Sequence, residues 1–267
     1  MIEDIEFMAP QAKIILGPWL ARKVHKVQVI SSRVNPIDLA SVEIPIEGVA
    51  LDAIAKNMEI QIFLGYREYG VWPVFSGFVD DVSWGPKVYI KAKDGMEKLR
   101  STPIVQTFVD TQPREVMRYS LDKAGVTDYQ ISEQLQSLRH YFVVPGINVL
   151  QVQKLLNETW KLKWEFYREP EGTVIYKPLE ETERYRGGQP VCRLEYGKNL
   201  FDLETSDYKT GRLRTFLLPM LRHGHVIELV DRRFWATETK VIIQRILEHF
   251  GEDGAGMVIE WAKLPTT

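Results

Sequence analysis

Hydrophobic and polar residues alternate with a period of two along much of the N-terminal third of the chain. The alternation is clear in residues 24–30, 41–46, 58–64 and 88–92, where β-branched and aromatic side chains recur at every second position. This pattern is typical of β-strands that bury one face. Glycine and proline separate these runs, where turns are expected. The region is therefore predicted to be an antiparallel β-barrel or sandwich, with a short helical turn at residues 51–56.

The middle of the chain changes to a helical period. Pro113 lies where a first helix is expected to begin, and an apolar stripe follows it. A second helix is predicted to begin after Asn148, an N-cap residue whose capping-box partner is Gln151. Residues 164–178 are then predicted to form a hairpin around a Pro-Glu-Gly turn. These elements indicate a small α+β segment, after which the chain returns to strands.

The two β regions resemble each other in the order and length of their strands. The corresponding runs are 58–64 with 225–230, 74–83 with 240–249, and 87–93 with 257–263. Any two alternating strands look alike, so the pattern fits a true internal duplication and unrelated strands equally well. Residues 241–250 also fit a helix with one apolar face, and the repeat favours a strand.

These patterns predict a mainly β fold with a small α+β insert, in which two antiparallel β regions, each a barrel or a sandwich, flank a helix-containing middle domain. The expected domains are 1–100 for the first β region, 101–190 for the middle domain and 191–267 for the second β region.

Composition narrows the class of protein. Apolar residues make up 45% and charged residues 26% of the 267 positions, which is ordinary for a folded domain. The net charge of -2 gives no global basis for direct nucleic-acid readout. No window approaches the roughly 20 apolar residues of a membrane span, and the first residues lack the pattern of a signal peptide. The single cysteine, Cys192, excludes an intramolecular disulfide and a cysteine-based metal cluster.

The familiar catalytic motifs are missing from the sequence. It contains no G-x-S-x-G elbow, no P-loop, no dinucleotide fingerprint and no H-E-x-x-H. Cys192 lies in a predicted strand and is interpreted as structural. His223 and His225 are spaced so that both can reach one metal ion, but the adjoining glycine indicates a turn, so we expect hydrogen-bonded or solvated histidines. No enzymatic activity, metal or cofactor is expected.

Two pairs of adjacent carboxylates were weighed as hydrolase acids, Asp80 with Asp81 and Glu252 with Asp253. Glycosidase acids need surroundings that push their pKa values apart. The sequence gives no sign of such surroundings, so both pairs are interpreted as loop or surface charge.

Four segments in a fixed order carry a more specific signal. The first is a strand with an F-x-G sequence at 75–82, followed at 88–99 by a strand, A-x-D and a leucine. The second is 105–113, which leads into the first helix, and the third is the G-x-N-L-like segment at 196–200. The fourth is 245–250, before a glycine and a final strand. Together they resemble the hub family of contractile tails, which includes phage late control protein D and the hub part of type VI secretion spike proteins.

This resemblance implies a structural, non-enzymatic baseplate hub subunit of a phage tail or a related contractile injection system. Hubs of this family are homotrimers in which each subunit contributes two barrels that resemble the tail tube. Six similar units then seat the hexameric tube protein, while the other face carries a trimeric spike protein. Baseplate wedge or tape-measure proteins are further expected partners. The expected location is the virion tail, assembled in the bacterial host cytoplasm. No spike or lysozyme segment follows Pro265, so the spike is expected to be a separate chain.

The loops after residues 58–64 and 225–230 are the candidate contact surfaces, because exposed aromatic and arginine residues are favoured at interfaces. The candidate interface residues are Tyr66, Arg67, Tyr69, Trp72, Arg232, Arg233, Phe234 and Trp235. The alternative interpretation is that both are ordinary hairpin loops.

Three other functions remain open at the level of the sequence. A distal-tail or tail-tip component of a non-contractile phage would share the tube-like barrel and differ in its partners. The second is a tail-associated cell-wall hydrolase or carbohydrate-binding module, and the hydrolase would need a carboxylate pair in a groove. The third alternative is an unrelated β-rich scaffold.

Overall fold

The computed structural model describes residues 9–21, 23–46 and 54–264 of the chain. Within these ranges no helix is long and apolar enough to cross a membrane.

The chain divides into two compact units. The large unit comprises residues 1–94 and 183–267, and the small unit comprises residues 95–182. The large unit therefore has two halves in sequence, separated by the small unit. The predicted three-domain boundaries stay a prediction.

Thirteen strands lie in the described residues of the large unit. The first half contains β1 (Pro10–Leu16), β2 (Trp19–Ala21), β3 (Lys26–Ser32), β4 (Leu39–Pro45), β5 (Glu59–Tyr66), β6 (Gly70–Trp84) and β7 (Lys87–Asp94). The small unit contains α1 (Glu97–Arg100), β8 (Pro103–Thr111), α2 (Pro113–Lys123), β9 (Tyr129–Ile131), β10 (Arg139–Asn148), α3 (Val149–Trp160), β11 (Trp164–Arg168) and β12 (Val174–Pro178). The second half contains β13 (Pro190–Glu195), β14 (Leu200–Thr205), β15 (Thr210–Thr215), β16 (Val226–Val230), β17 (Thr239–Gly251) and β18 (Gly254–Lys263).

The strands of both halves form one continuous sheet in the order β14-β15-β18-β17-β3-β4-β7-β6-β5-β1-β2, with β16 beside β17 and β13 beside β16. The mainly β, antiparallel class predicted from the sequence is confirmed. Side chains alternate as expected: Ile60, Ile62 and Leu64 are fully buried, while the residues between them are partly exposed. The pairing of β13 with β16 is parallel, which the alternation pattern did not predict.

The two halves meet at a seam between β17 and β3. The first part of β17 pairs with β16, and its last seven residues pair with β3 from Arg245 opposite Ser32 to Gly251 opposite Lys26. Strand β18 runs along the other edge of β17 throughout. Because β17 is shared in this way, it belongs to the sheets of both halves. The strand interpretation of residues 241–250 is confirmed.

Each half contains the same three-stranded meander, β5-β6-β7 or β16-β17-β18. In the first half, the Val79 N–H donates to the Met58 carbonyl at 2.8 Å, and in the second the Ile243 N–H donates to the His225 carbonyl at 2.9 Å. A bulge follows at the next residue in both, Asp80 or Gln244.

The residue before each acceptor has a positive φ, 67° at Asn57 and 85° at Gly224. Each donates its N–H back to the same β-strand residue at 2.8 Å. This shared local geometry goes beyond the alternation that any two strands have in common.

The small unit packs two sheets against its helices. Strand β8 pairs with β10, and β11 pairs with β12, which also has β9 beside it. Both predicted helices are present, and the predicted hairpin is β11-β12. Asn148 accepts a hydrogen bond from the Gln151 N–H at 3.0 Å, and the Gln151 side chain accepts one from the Asn148 N–H at 3.0 Å. The predicted capping box is therefore confirmed.

Two parts of the fold differ from the sequence-based prediction. Of the helical turn expected at 51–56, residues 51–53 lie outside the described residues. Residues 54–56 are not helical, because the left-handed Asn57 closes a tight turn in which the Met58 N–H donates to the Ala55 carbonyl at 3.2 Å. The long β8-β10 ribbon was not predicted either, since exposed apolar side chains such as Val105, Val109 and Val143 obscure the alternation of buried and polar positions.

Candidate assembly interface

The two candidate loops occupy equivalent places in the two halves. Residues 67–69 connect β5 with β6, and residues 231–238 connect β16 with β17. The sequence comparison of these two turns therefore paired segments that connect corresponding strands.

Tyr66 lies in the core and not on the surface. It is 3% exposed, pairs with Pro10 and Gly70 in the sheet, and belongs to the main hydrophobic cluster. Burial raises the pKa of its hydroxyl to about 12, although a hydrogen bond with the Leu217 backbone opposes the shift. The alternation of β5 runs on through Tyr66, so this side chain faces inward like Leu64.

The other residues of the first loop reach the surface to different degrees. Arg67 is exposed and its N–H donates to the Ala9 carbonyl at 3.1 Å. Tyr69 is 42% exposed, and Trp72 is half-buried beside Leu64 in the β5-β6 hairpin. This loop offers one cation and one exposed ring to a partner.

The second loop is built around a buried carboxylate. Asp231 is 2% exposed and accepts hydrogen bonds from the Arg233 guanidinium at both carboxylate oxygens, the shortest being 3.0 Å from Nε and 2.7 Å from Nη2. Burial acts to raise the pKa of the Asp231 carboxyl, but the hydrogen bonds from Arg233 outweigh it and lower the pKa. The same guanidinium lies 3.3 Å from the centroid of the Tyr196 ring, so one arginine holds both groups.

A row of aromatic rings continues from this loop into the core. The Phe234 ring lies between those of Tyr208 and Trp235, with centroid distances of 6.3 Å and 5.9 Å. The Trp235 and Trp261 ring centroids are 5.8 Å apart. Phe234 and Trp235 are half-buried and pack on the core, whereas Arg232 is exposed. The rings fix the shape of the loop, and Arg232 and Arg233 provide its exposed charge.

Several exposed apolar side chains of the large unit were not among the predicted candidates. They are Trp19 at 55%, Leu20 at 53%, Trp84 at 40%, Tyr196 at 42%, Phe201 at 51% and Tyr208 at 55%. Trp19 follows the turn at residues 17–18 and Tyr208 lies in the turn at residues 206–209. The alternation pattern does not indicate which face of an edge strand is covered.

The small unit exposes an apolar face of its own. Val109 lies opposite Tyr141 and Val105 lies opposite Pro145 on the outer face of the β8-β10 ribbon. Val105, Val109 and Tyr141 are 67%, 56% and 66% exposed. Contiguous apolar surface of this kind is typical of contact sites.

Both histidines of the predicted pair are buried in the large unit and hydrogen-bonded. Arg184 Nη1 lies 2.7 Å from His223 Nε2, and the Arg222 N–H donates to His225 Nδ1 at 3.1 Å. Burial and the neighbouring arginines lower the pKa of both imidazoles, to about 3 for His225. Arg184 is itself buried although the sequence places it in a charged connection.

Arg222 also links the two halves of the large unit. It donates from Nη1 to the Pro219 carbonyl at 2.6 Å and from Nη2 to the Pro73 carbonyl. The Glu248 carboxylate lies 3.6 Å away, is 3% exposed, and its Oε1 has no hydrogen-bond partner among the described residues. Burial raises the Glu248 pKa to about 8, which the Arg222 charge opposes. The Arg222 guanidinium donates to backbone carbonyl groups. Burial therefore has a larger effect on the Glu248 pKa than the Arg222 charge has.

The remaining chemical candidates have structural roles or lie at the surface. Cys192 is half-buried in β13, and burial raises its pKa to about 12, which keeps the thiol protonated at neutral pH. Asp80 forms ion pairs with Lys93 at 3.0 Å and Lys56 at 3.6 Å. Glu252 lies 3.0 Å from His25 across the seam. Over the described part of the chain, no group of three or more potential ligands is placed to hold a metal ion.

Comparison with known proteins gives matches in structure and none in sequence. No protein-family model and no curated protein matches the sequence. The structure is similar to a 43 kDa tail protein of prophage MuSo2 from Shewanella oneidensis, with a TM-score of 0.72 at 10% identity over 94% of this chain and 97% of that chain. It is also similar to a tail protein from Neisseria meningitidis MC58, with a TM-score of 0.74 at 9% identity over 96% and 97% of the two chains.

A third solved structure is an Escherichia coli component of the type VI secretion system that has structural similarity to the T4 bacteriophage tail proteins gp27 and gp5. Its TM-score is 0.67 at 9% identity, over 94% of this chain and 77% of that chain. The resemblance to phage tail and type VI secretion proteins inferred from the sequence is confirmed at the level of the fold.

Proposed function

From this shared fold we propose that the chain is a structural subunit of a phage tail or tail-like particle, in which it forms the trimeric baseplate hub. Three copies would make a ring that joins the hexameric tail tube to a trimeric spike. The proposal assigns no catalytic step to the chain.

The observation that carries this proposal is the repeated meander within one chain. The β5-β6-β7 and β16-β17-β18 meanders share their order, their bulge and the turn before it. Two equivalent β modules in each of three subunits give six similar positions on one side of a ring and three identical chains on the other. We propose that each half of the large unit corresponds to one tube-like barrel.

The candidate loops are proposed to contact neighbouring subunits or the tube. Their exposed residues are Arg67, Tyr69, Arg232 and Arg233, with Trp72, Phe234 and Trp235 as half-buried supports. Tyr66 supports the first loop from the core. The tail tube and spike proteins are the proposed partners, with baseplate wedge or tape-measure proteins as further ones, and the proposed location is the tail.

Copy number in purified particles tests this proposal. Particles from a host that carries the gene are analysed by quantitative mass spectrometry with isotope-labelled peptides, and a peptide tag on the chain is located by electron microscopy. Three copies per particle, with the label where the tube meets the spike, is the expected result. Any other copy number, or a label away from that junction, would overturn the hub assignment and favour a different tail component.

A digestion assay tests the non-enzymatic part of the proposal. The purified chain is incubated with peptidoglycan, and soluble fragments are measured against a lysozyme standard. No release above buffer is expected. Release that is abolished by Asp80→Asn or Glu252→Gln would show that the chain is a hydrolase.

A further inference from the structure

The backbone of Arg222 is fixed in the second half of the large unit. It lies in the loop between β15 and β16, where its N–H donates to His225 Nδ1 at 3.1 Å and its carbonyl accepts from the His225 N–H at 3.2 Å. The same loop is tied to β17, since the Gly224 N–H donates to the Ile243 carbonyl at 2.8 Å. The Arg222 side chain extends from this fixed base and is 15% exposed.

The guanidinium of Arg222 binds the first half where β6 has strand pairing on one side. Strand β6 pairs with β7 from Gly77 onwards, so among the described residues Pro73 has a strand partner in β5 alone. The Pro73 carbonyl accepts a hydrogen bond from Arg222 Nη2. This bond joins the two halves independently of the strand pairing between β3 and β17.

Glu248 is a second acceptor for the same guanidinium. It is buried on β17, between Val29 of β3 and Met257 of β18. Its Oε1 lies 3.6 Å from Arg222 Nη1 and has no hydrogen-bond partner among the described residues. A charge-assisted hydrogen bond between two such groups has a length of about 2.7–2.9 Å. The two side chains are therefore adjacent without being hydrogen-bonded to each other.

Both N–H groups of Arg222 Nη1 are already in use. They donate to the Pro219 carbonyl at 2.6 Å and to the Leu221 carbonyl at 2.8 Å, and a guanidinium Nη carries no further N–H. A bond from Nη1 to Glu248 therefore requires the guanidinium to leave one of these carbonyls. Because the guanidinium is a rigid plane, a turn of Nη1 towards Glu248 also displaces Nη2 from the Pro73 carbonyl.

The charges that act on Glu248 come from Arg222, in the β15-β16 loop, and from Asp38, in the connection before β4. Its neighbours on the two paired strands, Val29 and Met257, are uncharged. Burial raises the Glu248 pKa to about 8, the Arg222 charge acts to lower it, and the Asp38 charge acts to raise it. The carboxyl group thus gains or loses its proton in a pH range close to neutral.

We propose that Arg222 and Glu248 form a proton-controlled clamp between the two halves of the large unit. With the carboxyl group protonated, the guanidinium binds the Pro73 carbonyl and holds the halves together. With the carboxyl group ionised, the guanidinium turns to Glu248 and releases Pro73, because a buried carboxylate has to be paired and a charge-assisted bond is roughly twice as strong as a neutral one. The clamp does not depend on the proposed hub, since all its groups belong to one chain.

Nuclear magnetic resonance of one labelled peptide bond tests the clamp. The full chain is produced with proline labelled at its carbonyl carbon and valine labelled at its amide nitrogen, so that a carbonyl-to-amide correlation spectrum shows Pro–Val bonds alone. The sequence contains two of these bonds, Pro73–Val74 and Pro190–Val191. The second lies in β13 and serves as an internal control. Spectra are recorded at a series of pH values on both sides of 8, the pKa of Glu248.

The Pro73–Val74 signal is expected to shift in one step centred near pH 8, with the carbonyl resonance moving to lower frequency as its hydrogen bond is lost. In Glu248→Gln, which keeps the shape of the protonated acid, the signal should stay at its low-pH position throughout. Arg222→Met removes the donor, so the signal of this variant should lie at the high-pH position at every pH. The Pro190–Val191 signal should stay constant in all three proteins.

Three results would overturn the clamp. The first is a Pro73–Val74 signal that does not move with pH in the natural chain. The second is a shift that persists in Glu248→Gln, because it would then come from the titration of another group. The third is an equal shift of the Pro190–Val191 signal, which would mean that the whole fold changes with pH. Each of these results leaves the hub assignment standing, because copy number in particles tests that assignment separately.

Discussion

Glu248 is a carboxyl group placed at the seam where the two halves of the large unit join. It lies opposite Val29 of β3, and the Arg222 guanidinium lies 3.6 Å from its carboxylate. Because burial raises its pKa from the ordinary range to about 8, the folded chain holds a proton there at pH values where the unfolded chain has released it. Folding therefore becomes less favourable as the pH rises from about 4.5 towards 8.

Replacing Glu248 with glutamine should remove this pH dependence. The amide has the shape of the protonated acid and carries no charge to desolvate, so the Glu248→Gln variant should gain thermal stability over the natural chain as the pH rises from 5 to 8. Melting temperatures of both proteins across this range provide the measurement. A constant difference between them would mean that Glu248 ionises normally in the folded chain.

His225 should act in the opposite direction. Burial lowers its pKa to about 3, so between that value and the unfolded pKa of about 6.5 the unfolded chain binds more protons. Stability from this group is present above about pH 6.5 and is lost as the pH falls. A His225→Asn variant keeps an acceptor for the Arg222 N–H and has no proton to gain. It should lose less stability than the natural chain between pH 7 and pH 5, measured by urea unfolding at each pH.

Single residues could be picked out as candidates from the sequence by their type, but the partners that surround them in the fold could not be predicted. Arg233 was a candidate because of its charge, but its contact with Tyr196 depends on a part of the chain that is distant in sequence. Tyr66 is of a residue type that is common at interfaces, but it lies in β5 at a position that the alternation assigns to the core. The side chain is buried there. The unexpected burial of Arg184 and Glu248 has the same origin, since no local pattern reports a partner that comes from another strand.

At the scale of elements, helix α3 was the most predictable part of the chain because its start is encoded locally. Asn148 and Gln151 satisfy each other's backbone N–H groups at 3.0 Å, as the capping-box spacing requires. Strand β17 was predictable only through the repeat, and the β8-β10 ribbon was not predictable because its exposed valines resemble buried ones.

Removal of the α3 cap should have a measurable and reversible cost. Asn148→Ala leaves the Gln151 N–H without its acceptor and should lower the free energy of unfolding by about 1 kcal/mol. Asn148→Asp should restore most of the loss because a carboxylate accepts the same bond. Chemical denaturation followed by far-UV circular dichroism compares the three proteins, and equal stability of the alanine and natural forms would argue against the cap.

At the scale of the whole molecule, the seam makes the two halves of the large unit one cooperative body. Strand β17 bonds to β16 of its own half and to β3 of the other, and Arg222 reaches the Pro73 carbonyl across the same junction. A continuous sheet with one hydrophobic cluster is expected to open as a unit.

A charge placed in the seam should therefore destabilise both halves. Val27 is fully buried and pairs with Phe250, so Val27→Asp should lower the hydrogen-exchange protection of β3 and β4 together with that of β16 and β18. Lys23→Asp, in the loop before β3, serves as the matched control and should leave protection unchanged. Loss confined to the first half would show that the halves open independently.

The small unit leaves the large unit after Asp94 and returns to it before Glu183, so it occupies the stretch of chain that joins the two repeated modules. In a tandem duplication this joining stretch is the place where foreign sequence interrupts neither copy. The small unit thus lies between two β modules that share their strand order. Recombination at these two points could replace the whole insert and leave every strand pair of the surrounding sheet in register.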